Sequence, residues 1–122
     1  MKVLLGIGGS GDSLTALERT VERTREAGDD LTVAVVENPE SDASLADVES
    51  RVRDLLGDAD LDATVRRVEG DAGSRLVDIA ESEGFDHIAL GGGQTSPMGK
   101  INLGQIAQFV LLNSHVSVTL VR

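Results

Sequence analysis

The sequence predicts an α/β fold, a five-stranded parallel sheet with helices on both faces. Three observations predict it. Apolar runs of strand length alternate with helical periodicities along the chain, giving five strands and four helices in turn. Lys2–Ile7 and Leu31–Val36 are almost continuously apolar, as strands covered on both faces are. Glycine or turn-forming residues close the segments, and parallel neighbours need helical crossovers, which are right-handed.

The first strand, Lys2–Ile7, ends at Gly8-Gly9-Ser10-Gly11. From Ser13 the period changes. Leu14, Leu17, Val21 and Thr24 fall on one helical face, with Glu18, Arg19, Glu22, Arg23, Arg25 and Glu26 mostly outside it. Asp12 or Ser10 is the expected cap, and Gly28 the stop. Leu31–Val36 is the second strand, followed by the turn-rich Glu37–Asp42. A second helix, Leu45–Leu56, carries Leu45, Val48, Val52, Leu55 and Leu56 as its stripe, with Gly57 expected to close it.

Ala63–Val68 alternates as a third strand nearer a sheet edge, because Arg66 and Arg67 would be awkward in a sheet buried on both faces. Gly70–Ser74 turns into a helix bearing Leu76, Val77, Ile79 and Ala80, with Asp71 and Ser74 read as capping residues and Gly84 as the terminator. His87–Leu90 is the fourth strand. Leu103–Leu112 reads as the last helix and Val116–Val121 as the closing strand. No internal repeat or linker is seen.

A chain of 122 residues suits a single domain over 1–122. Without cysteine it forms no disulfide and has no thiol nucleophile or thiolate metal site, in keeping with a cytoplasmic protein. Acidic residues number 21 against 11 basic ones, a formal charge of −10, which repels nucleic acid and anionic membranes. No apolar stretch is long enough to span a bilayer, and the first residues are too short and too weakly basic for a signal peptide. Lys2 and Lys100 are the only lysines, and carboxylates are spread along every helix. That pattern predicts solubility in high salt and a halophilic source; an ordinary acidic protein is the alternative.

The most informative stretch follows the fourth strand. Gly91, Gly92 and Gly93 leave space, Thr95 and Ser96 add hydroxyls, and Lys100 adds a cation shortly before a helix. Such a segment gathers backbone N–H groups and one positive charge where an anion can be held, which points to a phosphate-bearing ligand; a plain tight turn is the alternative. In an open parallel sheet, ligands sit beyond the carboxyl ends of the strands, where the loops Gly8–Gly11, Glu37–Asp42 and Gly91–Asn102 are expected to meet.

Other groupings are weaker. His87 and His115, the only histidines, read as polar edge residues, and with no cysteine and no i, i+4 histidine pair a zinc site is not expected. Phe85 and Phe109, the only aromatics, read as core and offer no stacking platform for single-stranded nucleic acid.

Over nearly its whole length the chain resembles the universal stress protein family. The resemblance is carried by Val3–Ser10, Leu31–Val36, Gly70-Asp71, Gly84–Gly91, Gly104 and Val116–Val121. It implies a Rossmann-like three-layer sandwich of the adenine nucleotide alpha hydrolase type and a small cytoplasmic stress-response module. ATP or a related adenine nucleotide is its implied ligand, with magnesium only where nucleotide is bound. It also implies a homodimer paired through Val116–Val121, and an origin in a halophilic archaeon matches the charge pattern.

The family's nucleotide signature is a glycine, two residues, a second glycine, nine residues, then glycine and a hydroxyl residue. Gly91 and Gly104 match it. Gln94 stands at the second glycine, Gln105 at the hydroxyl position, and Gly8 where nucleotide-binding members carry an aspartate that helps hold the adenosine end. Residue by residue, the resemblance assigns the binding site to Gly8, Ser10, Val36, Gly91, Gly92, Gly93, Gln94, Thr95, Ser96, Lys100, Gly104 and Gln105. Val36 reads mainly as core. Gln94 adds bulk where a close backbone approach to phosphate is expected, and Gly8 removes an acceptor. No constellation implies catalysis, although the resemblance allows slow nucleotide hydrolysis. The alternative function is a nucleotide-free homodimeric interaction module.

Overall fold

The computed structural model describes residues 1–8, 11–38, 44–91, 94–95, 101–102 and 105–121, with backbone alone at 11–13, 94–95 and 101–102. Elements follow in the order β1 (Lys2–Ile7), α1 (Gly11–Ala27), β2 (Asp30–Val36), α2 (Leu45–Asp58), β3 (Thr64–Val68), α3 (Ala72–Ser82), β4 (His87–Gly91), β5 (Gln94–Thr95), β6 (Ile101–Asn102), α4 (Gln105–Asn113) and β7 (Ser117–Val121). Five strands form one parallel sheet in the order β3-β2-β1-β4-β7. Strand order reverses between β1 and β4.

Because side chains alternate across a strand, β1 and β2 feed two cores at once. Val3, Leu5 and Ile7 join Leu31, Val33 and Val35 beneath Leu17 and Val21 of α1 and Val48, Val52 and Leu56 of α2. On the other face Leu4, Ala34, Val36, Ile88 and Leu90 pack with Leu76 and Ile79 of α3 and with Ala107 and Val110 of α4. These clusters explain the unbroken apolar runs of β1 and β2.

At the edge strand β3 the same alternation sends its two arginines to opposite sides. Arg67 donates to Glu49 of α2 at 2.8 Å, and Arg66 donates to both carboxylate oxygens of Glu83, just beyond α3, at 2.8 Å. Those hydrogen bonds hold both glutamates below the usual carboxylate range: Arg67 and then Arg53 act on Glu49, and Arg66 on Glu83. The opposite edge, β7, is half-buried and carries no charge.

Helix termini follow local chemistry. Asp71 accepts from the Ser74 N–H at 3.1 Å and caps α3, while Ser44, not anticipated from sequence, accepts from the Asp47 N–H at 3.2 Å and caps α2. Gly28 and Gly84 follow α1 and α3 in the left-handed region, φ 70° and 74°, as expected of helix stops.

Several expectations change. Gly57 does not close α2: it lies inside the helix, which ends at the Ala59 cap, and Asp60 takes the left-handed turn at φ 52°. A Cβ at Gly57 would meet nothing, so tertiary packing gives the helix no reason to stop there. Asp12 is a residue of α1, not its cap, and Ser10 lies outside the described residues. Phe85 is core, but Phe109 is 39% exposed, lying over Gly73 with its outer side in solvent. His87 is buried on the interior strand β4, because its position points it towards α1.

Candidate functional site

The reversal of strand order sets the carboxyl ends of β1 and β4 side by side, the position where open α/β sheets bind ligands. The β1–β4 register pairs Leu5 with Ala89, and its continuation brings Ile7 level with Gly91. Gly8 then sits buried at the mouth of the crevice and Gly91 half-buried across it.

Beyond Gly91 the chain forms a small antiparallel ribbon rather than an open loop. Gln94 pairs with Asn102 and Thr95 with Ile101. Gly91 stands three residues before the ribbon and Gln105, the exposed first residue of α4, three residues after it. The pairing folds the segment back on itself, so the two ends of the glycine signature return to the same sheet end. Gly92, Gly93, Ser96, Lys100 and Gly104 lie outside the described residues. Of Gln94 and Thr95 only the backbone is described.

At the other wall, β2 ends at Val36, which is 3% exposed and packed among Leu4, Ala34 and Val68. It is a core residue at the crevice floor. Two residues on, Asn38 lies over Gly8: a Cβ built on Gly8 would come within 3.0 Å of Asn38 Cβ and of Nδ2. The space that a side chain at Gly8 would claim is therefore taken by Asn38. A carboxamide, with donor and acceptor, stands where a carboxylate was absent. Sequence reading missed Asn38 because its partner is thirty residues away; the signal was a glycine in place of the usual aspartate.

A similar exchange occurs one turn of pleat deeper. A Cβ on Gly6 would lie 2.8 Å from Leu76 Cδ1 and 2.9 Å from Leu90 Cδ2, so Gly6 lets α3 and β4 close over β1. The crevice thus rests on a tightly packed floor. Among the described residues no group of three or more histidine, aspartate and glutamate side chains is placed to hold a metal ion.

The whole chain, residues 1–122, matches the family model described as the universal stress protein family. The protein is thus an α/β protein built on one five-stranded parallel sheet, and it belongs to the universal stress protein family. A universal stress protein from Archaeoglobus fulgidus superposes with a TM-score of 0.74 at 18% identity, covering 100% of this chain and 98% of that one. The Archaeoglobus fulgidus protein in complex with dAMP gives 0.68 at 15% identity, covering 100% and 98%. A family protein from Arabidopsis thaliana with AMP bound gives 0.71 at 12% identity, covering 99% and 91%. At these identities the likeness is one of fold. Comparison with curated proteins gives no match.

Proposed function

We propose that this protein is a cytoplasmic stress-response module that binds ATP or a related adenine nucleotide at the carboxyl ends of β1, β2 and β4. One observation carries the proposal: the ribbon Gln94–Thr95/Ile101–Asn102 returns the chain from Gly91 to Gln105 at the reversal of strand order. A ligand phosphate there meets glycine backbone and the start of α4, and the AMP- and dAMP-bound relatives share the fold. The chain's own residues suit the base end less closely, since Asn38 replaces a carboxylate with a carboxamide over Gly8. Ser10, Gly92, Gly93, Thr95, Ser96, Lys100 and Gly104 remain the proposed phosphate-side residues, with magnesium entering only with nucleotide.

Mass spectrometry of small molecules released from freshly purified protein tests this directly. A near-stoichiometric adenine compound is expected. In calorimetry, Gln94→Gly with Gln105→Ser is expected to tighten ATP binding; absence of binding by both forms would remove the proposal.

The occupied space above Gly8 favours a second reading, an interaction module that has lost the nucleotide. Both readings share a homodimer through β7. That edge is uncharged, and Leu112 on the adjoining helix α4 is 84% exposed. An uncovered apolar strand edge is a liability that a second copy removes. The net charge of −10 supports a halophilic origin.

A further inference from the structure

We propose that the cleft between α1 and the β4–β7 edge of the sheet binds a tetrahedral oxyanion of the phosphate class, free or as a phosphomonoester. The cleft, about 330 Å³, is lined by Arg19, Thr20, Arg23 and Thr24 of α1 and by Asp29, His87 and Thr119 among its polar residues. It lies on the α1 face of the sheet, and Gly8, Val36, Asn38 and Gly91 are not among its lining residues, so it is separate from the nucleotide crevice.

Charge is sorted around α1. Glu18, Glu22, Glu26 and Asp58 line the groove on its α2 side together with Arg25. Arg19 and Arg23, one turn apart, line the opposite flank, and among the described residues neither forms an ion pair. Two like charges at i, i+4 repel each other, so their side-by-side placement favours an anion between them, a local attraction that acts against the chain's overall charge of −10. Among the described residues lining the cleft the one carboxylate, Asp29, is paired with the Met1 amino group at 3.4 Å.

The remaining groups suit the same ligand. His87 is 9% exposed and its ring makes no hydrogen bond among the described residues, while no buried side-chain nitrogen or oxygen there lacks a partner. Its nitrogens therefore open on the cleft. Guanidinium forks match tetrahedral oxyanions, and the threonine hydroxyls and the imidazole supply further donors.

The test follows His87 ring signals by NMR and the melting temperature at pH 7.5 while sodium phosphate replaces sodium chloride at constant ionic strength. A parallel arm uses AMP. Expected is a saturable shift of the His87 signals with a rise in melting temperature. Arg19→Gln/Arg23→Gln should weaken it at least tenfold, and Lys100→Ala, which alters the nucleotide loop, should leave it intact. Both arginines lie on a helix surface, and Thr119→Val offers an independent variant if the double one unfolds. A His87 response to AMP identifies a monoester site, and a response to inorganic phosphate alone a free-anion site; both support the proposal. It is overturned if His87 is silent to both anions, if the double variant responds like the parent, or if Lys100→Ala abolishes the response.

Discussion

The contact between Gly8 and Asn38 can be measured as an energy. A methyl group at Gly8 would stand 3.0 Å from Asn38 Cβ and Nδ2, well inside the roughly 3.5–4.0 Å of ordinary carbon contact. Gly8 is not among the positive-φ glycines, so only space opposes a side chain there. Overpacking costs about 1–3 kcal/mol, and a half-buried neighbour able to shift argues for the lower end. Restricting the unfolded chain returns about 0.4–1 kcal/mol. Gly8→Ala is therefore expected to destabilise the protein by roughly 0.5–1.5 kcal/mol. In an Asn38→Gly background, where both crowding atoms are gone, the same change should stabilise by about 0.4–1 kcal/mol. The coupling is about 1–2 kcal/mol, and the cycle subtracts whatever else Asn38 contributes. Urea unfolding of the four proteins in one salt buffer, followed by circular dichroism, provides the assay. Additivity to within about 0.5 kcal/mol would show that Asn38 does not occupy this space.

Burial, with Arg23 adding and Asp29 and Asp86 opposing, holds His87 below its ordinary value of 6.5. The unfolded chain thus takes up that proton first, so stability is full above about pH 6.5 and declines as pH falls towards the lower folded value; His87→Gln should flatten this decline, and an unchanged slope of urea midpoint against pH would contradict it. Leu76→Ala removes a fully buried side chain that fills the space beside Gly6 and should cost about 2–5 kcal/mol by urea unfolding. Asp71→Ala deletes the α3 cap at an expected cost of about 0.5–2 kcal/mol, measured the same way. Val118→Lys on β7 should convert a dimer to monomer in sedimentation at micromolar concentration, and a parent protein already monomeric there would dismiss the pairing.

The architecture was legible because period and punctuation agreed: continuous apolar runs marked β1 and β2, and Arg66-Arg67 placed β3 at an edge. Gly28, Gly84 and Asp71 ended or capped helices for local reasons that a sequence displays. Gly57 misled, since a glycine on a solvent-facing helix position meets nothing that would stop the helix. The short β5–β6 ribbon carried no usable periodicity at two residues a strand. The motif picked out Gly8, Val36 and Gly91, which the fold sets at neighbouring strand ends, but it gave no sign of Asn38 over Gly8 or of His87 in the separate cleft beside α1. Their surroundings arise from strand register and helix docking, which bring together residues far apart in sequence.

The two flanks of the sheet have consequences for assembly. One flank is fenced on both sides by guanidinium–carboxylate pairs, Arg66 with Glu83 and Arg67 with Glu49. The other ends in serine, valine, threonine and leucine alone. A second copy pairing through β7, as proposed above, would meet no charged side chain on that strand, and a twofold axis there would cover the β7 edges of both copies at once.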